Sequence, residues 1–151
     1  MLRLTNFADY AVVLMRHVAM DETARLSAQE LSIRSNIPLP TVSKILNAMG
    51  QNNLLVSHRG LKGGFTLARS AHDISVVDII EAVDGPIELT HCVDESCEPD
   101  CTISEMCGMR SHWGRINTAV RDGLASVTLE SLVQQPVVNF AASKKVTIAN
   151  A

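Results

Sequence analysis

Residues 27–50, SAQELSIRSNIPLPTVSKILNAMG, constrain the fold more than any other stretch of this chain. Ser27 and Glu30 have capping-box spacing: the Ser hydroxyl accepts from the backbone N–H three residues on, and the Glu carboxylate reaches back. They open a short helix that runs to about Ser35. Asn36-Ile37-Pro38 then forms a turn. A second helix follows with Pro40 in its first turn, where a missing N–H costs little. Val42, Ile45, Leu46 and Met49 recur at helical spacing and form its buried face, while Thr41, Ser43, Lys44 and Asn47 face outward.

The flanking segments extend the pattern. Thr5 and Asn6 offer caps for a first helix over about Asn6 to Met20, with Phe7, Tyr10, Ala11, Leu14 and Val18 at helical spacing. After the turn-linked pair come LLVSH and FTLAR around RGLKGG, whose glycines permit a tight hairpin. Helix, capped helix, turn, helix and basic hairpin is the order of a winged helix-turn-helix. There the second helix of the pair enters the major groove and the hairpin reaches phosphates or the adjacent minor groove. The expected fold is mainly α with a small β-hairpin wing.

Charge supports that reading. Residues 1–70 carry eight Lys/Arg against four Asp/Glu, whereas residues 71–151 carry five against twelve. No acidic residue lies between Glu30 and Asp73, and Arg34, Lys44, Arg59, Lys62 and Arg69 all fall in that gap. A polyanion approaching this surface would meet no carboxylate. The expected DNA-binding set is Arg34, Pro40, Thr41, Ser43, Lys44, Asn47, Arg59 and Lys62. The competing reading is a small α+β domain with a solvated basic face.

Further along, ISVVDIIEA (residues 74–82) reads as a helix stopped by Asp84-Gly85-Pro86. A long helix is expected from about Ser104 to Ser126, with Met109, Trp113, Ile116, Val120 and Leu124 on one face. A lone apolar stripe needs a partner, and a two-fold homodimer would bury it while presenting two reading helices to two half-sites. Thr128 caps a last short helix, TLESLVQ. The expected organisation is a DNA-binding domain over 1–84, a cysteine segment over 85–107, a dimerisation helix and final helix over 104–135, and a flexible tail over 136–151. The hydrophobic content of 46% suffices for a real core, and aromatics at 3% favour helices packed on helices. The first twenty residues contain Asp9 and Arg16 and no long apolar run, so neither a signal peptide nor a membrane span is expected, and a cytoplasmic location is.

All four cysteines fall within HCVDESCEPDCTISEMC, residues 91–107, together with five carboxylates. In a reducing compartment such a cluster points to metal or redox chemistry rather than a structural disulfide. Four, three and five residues separate successive cysteines, so the Cys-x-x-Cys pair of zinc knuckles and thioredoxin-like sites is absent. Wider spacing lets a loop wrap something larger than one ion, and thiolates are the natural ligands of iron–sulfur clusters. A disulfide switch, a zinc site and inert thiols remain alternatives. An acidic setting would raise a thiol pKa, which argues against a catalytic nucleophile. Nor does the chain show a Ser/His/Asp order, a phosphate loop or an acid/base carboxylate pair, so an enzyme is not expected.

Several of these stretches resemble the Rrf-type winged-helix regulators, the family of the iron–sulfur regulator IscR and the nitric-oxide sensor NsrR. LRLTNFADYAV is similar to the family's opening helix, RGLKGGFTLAR to its wing, and ISVVDIIEAVDGPIELTHC to the approach to its first ligand cysteine. Cys101 and Cys107 match its last two cysteines, and GMRSHWGRIN resembles the branch that regulates the SUF cluster-assembly operon. The resemblance covers about residues 1–135. It implies a homodimer with crossed long helices that binds promoter DNA, acts as a repressor of cluster-assembly or related stress genes, and responds to a 2Fe–2S or 4Fe–4S cluster held by Cys92, Cys101 and Cys107. Nitric-oxide or redox sensing on the same fold is the alternative within the family, and a zinc- or thiol-based interaction module the alternative outside it. Two departures leave the fourth ligand open. Arg110 stands where some members have a ligating histidine, and eight residues containing Cys97 separate Cys92 from Cys101. The candidates are Cys97 and, by resemblance, Asp9 of the partner subunit, with His91 and His112 behind them.

Overall fold

The computed structural model describes residues 3–21, 24–60, 63–90 and 107–134. The elements run α1 (Asn6–Ala19), α2 (Ala28–Ser35), α3 (Leu39–Gln51), β1 (Leu55–His58), β2 (Gly64–Leu67), a 3-10 turn (Ala71–Asp73), α4 (Val76–Asp84), α5 (Arg110–Ala125) and α6 (Leu129–Gln134). This is a mainly helical fold with one two-stranded antiparallel hairpin, as the sequence predicts. No helix among the described residues is long and apolar enough to cross a membrane.

Local chemistry sets most boundaries. Thr5 caps α1 by accepting from Ala8 N at 3.0 Å, and its hydroxyl donates to the Asp84 carboxylate at 2.7 Å. Ser27 and Glu30 form the expected capping box on α2. Asn36 ends that helix in the left-handed region at φ 57°, a conformation Asn tolerates better than most residues. Ser32 Oγ then donates to Ile37 O at 2.6 Å, and Ile37 is buried, so the turn is fixed by both a hydrogen bond and an anchor in the core.

Two helix starts differ from the expectation. α4 begins at Val76 rather than Ile74, because Ser75 and Asp78 form a second capping box. Ile74 stays extended and its carbonyl accepts from Leu129 N at 2.8 Å. α5 begins at Arg110 rather than near Ser104; Gly108 and Met109 precede it as a turn. Glycine is a poor helix-interior residue, which favours a start beyond Gly108.

The core gathers Leu14, Met15 and Val18 of α1, Leu31 of α2, Val42, Ile45, Leu46 and Met49 of α3, and Leu54, Leu55, Ile74, Ile79 and Leu129. α4 packs on α1 and α3, α5 packs on α4, and α6 returns to α1, where Arg16 Nε donates to Leu132 O at 2.9 Å. β1 pairs with β2 in the register Leu55 to Leu67 and His58 to Gly64. Leu26 adds a bridge to Phe65, and a Cβ on Gly64 would lie 2.9 Å from the Leu26 carbonyl oxygen, so only glycine lets the hairpin close on that segment.

α5 is tied to α4 by Arg121, whose Nε and Nη2 donate to Glu81 Oε1 and Oε2 at 2.6 and 2.8 Å. This hydrogen-bonded arginine holds the Glu81 carboxyl below its ordinary pKa. A depressed folded-state pKa contributes stability above the unfolded value and loses it as pH falls through the folded one. Wild-type stability should therefore decline on acidification below about pH 4.3, and Arg121→Gln should flatten that decline. Denaturant titrations across pH check this; equal acid dependence in both proteins would contradict it. Ile45→Ala, at a fully buried site, should destabilise by about 2–5 kcal/mol in the same assay.

Candidate functional site

Burying Val42, Ile45, Leu46 and Met49 turns the opposite face of α3 to solvent. Pro40, Lys44 and Asn47 are exposed there and Thr41 and Ser43 are half-buried beside them. This face carries hydroxyls, an amide and one ammonium, with no carboxylate on the helix. Such groups hydrogen-bond base edges and phosphates. Arg34, in the last turn of α2, and Arg59, at the hairpin turn, are exposed as well. Lys62 lies outside the described residues.

Two contacts and one pKa shift refine the charge map. The Lys44 ammonium lies 5.1 Å from the centroid of the Phe7 ring, which places the one cation of α3 against the first turn of α1. Arg69 donates from Nη1 to Asp73 O at 3.3 Å, so its guanidinium is engaged beside the 3-10 turn. Burial, reinforced by Arg16 and Arg34, pushes the pKa of His17 down. The same positive field that would attract a polyanion disfavours another proton here. Phe7 reads in sequence only as a core residue of α1; nothing local marks a contact with a lysine thirty-seven positions away.

Of the proposed ligands, Cys107 is a half-buried free thiol three residues before α5. Asp9 is exposed in the first turn of α1, and His112 is exposed in the first turn of α5. His91, Cys92, Cys97 and Cys101 lie outside the described residues. Among the described residues no three His, Cys, Asp or Glu side chains are placed to hold a metal ion. Four cysteines in one segment, of which Cys107 is free and half-buried, are a donor set suited to an iron–sulfur cluster.

The expected apolar stripe of α5 divides into two environments. Trp113, Val120 and Leu124 are half-buried, whereas Met109 and Ile116 are exposed. The exposed pair lines an open groove of about 460 Å³ with His112, Arg115 and Ala119. A second groove runs along Ser111, Gly114, Thr118 and Asp122. Asn117 is buried at the centre of the other face and holds backbone from the segment after α4.

Residues 4–135 match the protein family described as "Rrf2: Iron-dependent Transcriptional regulator". The HTH-type transcriptional regulator IscR of Pectobacterium atrosepticum is 31% identical over 143 residues, covering 93% of this chain and 85% of that protein. The solved structure of CymR, the global cysteine regulator of B. subtilis, aligns with a TM-score of 0.69 at 25% identity over 88% of this chain and 97% of that one. IscR of T. potens aligns with a TM-score of 0.64 at 23% identity, covering 87% and 86%. The winged-helix architecture and the expectation of a regulator rather than an enzyme agree with these relatives.

The Phe7–Lys44 contact should be measurable. In a double-mutant cycle on folding stability, Phe7→Leu and Lys44→Met should show a coupling of about 0.5–1 kcal/mol. Strict additivity would mean that the ring does not hold the ammonium.

Proposed function

Because the chain belongs to the Rrf2 family of transcriptional regulators, we propose that it binds promoter DNA as a homodimer and adjusts that binding to iron–sulfur status through its cysteine segment. The observation that carries the DNA reading is the exposed face of α3: polar, cationic and free of carboxylates, directly opposite the face that the core buries. Pro40, Thr41, Ser43, Lys44 and Asn47 enter the major groove, where the Lys44 ammonium meets a phosphate at the groove edge, and Arg34, Arg59 and Lys62 meet phosphates or the neighbouring minor groove. The regulated genes are those of cluster assembly or related stress responses, with repression as the sign.

A second copy of this chain is the partner of α5. Exposed Met109 and Ile116 and the small residues Gly114 and Ala119 suit close approach of a symmetry-related helix. Pairing there sets the separation of two α3 helices on one side of a duplex.

Cys92, Cys101 and Cys107 would hold the cluster, with Cys97 or Asp9 of the partner subunit as fourth ligand. A bound cluster would supply redox and ligand-exchange chemistry to an acidic segment. This chain's own residues carry the response. α5 begins three residues after Cys107, Arg121 joins it to Glu81 of α4, and Asn52 at the end of α3 donates to Ala82 O of α4 at 3.2 Å. A shift of α5 therefore reaches the reading helix through one intervening helix.

The likeness to CymR supports a second reading, in which the four thiols report cysteine or oxidant status without a cluster. Nitric-oxide sensing or zinc binding would use the same residues. Anaerobic purification separates these. The cluster reading predicts iron and sulfide in comparable amounts with visible charge-transfer absorption, all lost in Cys107→Ala. Stoichiometric zinc, or wild-type protein with neither iron nor sulfide, would contradict it.

The DNA reading has its own measurement. Eight cations per dimer, four from each protomer, give a slope of log affinity against log salt of about −7 if all engage phosphates. Lys44→Ala should make that slope shallower by about 2 units. An unchanged slope would remove Lys44 from the interface.

A further inference from the structure

Lys44 is the one cation of α3, and its ammonium lies 5.1 Å from the centroid of the Phe7 ring. Phe7 belongs to the first turn of α1, is half-buried and packs against the core. Its ring therefore stands where the exposed face of α3 meets α1. α3 has no acidic residue, and on α1 Asp9 stands two residues beyond Phe7, about 200° further round the helix. The Asp84 carboxylate, which approaches the start of α1, accepts from the Thr5 hydroxyl at 2.7 Å. Neither ion pair among the described residues, His72–Asp73 or Arg121–Glu81, includes Lys44.

An aromatic partner does something that a carboxylate could not. A carboxylate beside Lys44 would fix the ammonium and cancel most of its charge. A ring attracts the cation through its quadrupole and carries no net charge of its own. The ammonium has three N–H donors and the ring covers one side of it, so donors remain for a phosphate oxygen. A lysine stem is flexible and loses that freedom when its head is bound. A contact made before DNA arrives removes part of that loss. Placement follows from the same contact. Pro40 and Asn47 flank Lys44 at helical spacing and are exposed. Drawing the ammonium toward α1 clears the space in front of them for base edges and sets the charge toward the groove edge, where phosphates lie.

We propose that Phe7 of α1 is a positioning residue for DNA binding: its ring holds the Lys44 ammonium at the α1 border of the α3 face, ready for a phosphate and with its charge intact. This rests on the DNA reading above and extends it to an apolar residue of a helix outside the helix-turn-helix pair.

The test compares full chains of wild type, Phe7→Leu, Phe7→Tyr, Lys44→Met and the double variant Phe7→Leu/Lys44→Met, all prepared anaerobically in the same way. Affinity is measured over a series of salt concentrations on one duplex selected from a random library by the wild type. Phe7→Met, which is unbranched and also lacks a ring, serves if the leucine variant fails to fold.

A cation–ring contact of ordinary strength at an exposed site favours the held rotamer about 2–5-fold. It raises apparent affinity by at most that factor per protomer. Phe7→Leu should therefore weaken binding by about 2–5-fold for each protomer engaged, or about 5–30-fold for a dimer using both. The salt slope should stay at the wild-type value, because Lys44 still reaches its phosphate. Lys44→Met should make the slope shallower by about 2 units. In the Lys44→Met background the loss of the ring should change affinity by less than about twofold, and Phe7→Tyr should bind like wild type. Wild-type affinity in Phe7→Leu, an equal loss with and without Lys44, or a loss in Phe7→Tyr as large as in Phe7→Leu would overturn the role of the ring and leave the DNA reading standing. A wild type retained by no duplex at low salt would overturn the DNA reading and the role of Phe7 with it.

Discussion

The proposed DNA-binding surface depends on the burial of one face of α3. Val42, Ile45, Leu46 and Met49 are all at or near zero exposure. With 3.6 residues per turn, anchoring those four fixes the direction of every other side chain on the helix. Lys44 and Asn47 face solvent because Ile45 and Leu46 cannot. The turn before α3 reinforces this, since buried Ile37 and left-handed Asn36 set the angle at which α3 leaves α2. A helix with a slack apolar face could rotate, and a rotation of one residue would carry Lys44 off the polar surface.

Charge is sorted around that frame. The cationic groups of α2, α3 and the hairpin share one acid-free stretch of chain, whereas Asp78, Glu81, Asp84 and Asp122 belong to α4 and α5. Like charges kept off one face allow a polyanion to approach it, and the carboxylates removed to the other helices are used structurally. Asp78 completes the α4 capping box, Asp84 accepts from the Thr5 hydroxyl at the start of α1, and Glu81 joins α4 to α5. α4 is therefore the mechanical centre, touching α1, α3 and α5 at once.

Much of this was legible in the sequence because it is local. The capping box at Ser27, the turn at Asn36 and the apolar spacing of α3 are all written within a few residues, and they determine how α3 is set against α2. The start of α4 was less legible: the apolar run from Ile74 suggests an earlier start, although the Ser75 and Asp78 pair follows the same capping rule as Ser27 and Glu30. Contacts between distant residues left no trace. Asn117 interrupts an apolar stripe, and its partners are backbone atoms about thirty residues away. Backbone atoms have no signature in composition or periodicity. Phe7 beneath Lys44, and Leu129 returning to the core beside α1, are hidden for the same reason. Of the four cysteines, only Cys107 falls among the described residues, so the ligand set of Cys92, Cys101 and Cys107 rests on what the family resemblance implies.

The central claim is that loading of the cysteine segment and DNA affinity are coupled through α5 and α4. The most direct measurement selects a duplex from a random library and then compares, anaerobically and at one salt concentration, the affinity of the same preparation before and after its iron and sulfide are removed. Coupling through packed helices predicts a change of about 5–150-fold. Equal affinity of the loaded and stripped protein would contradict the account.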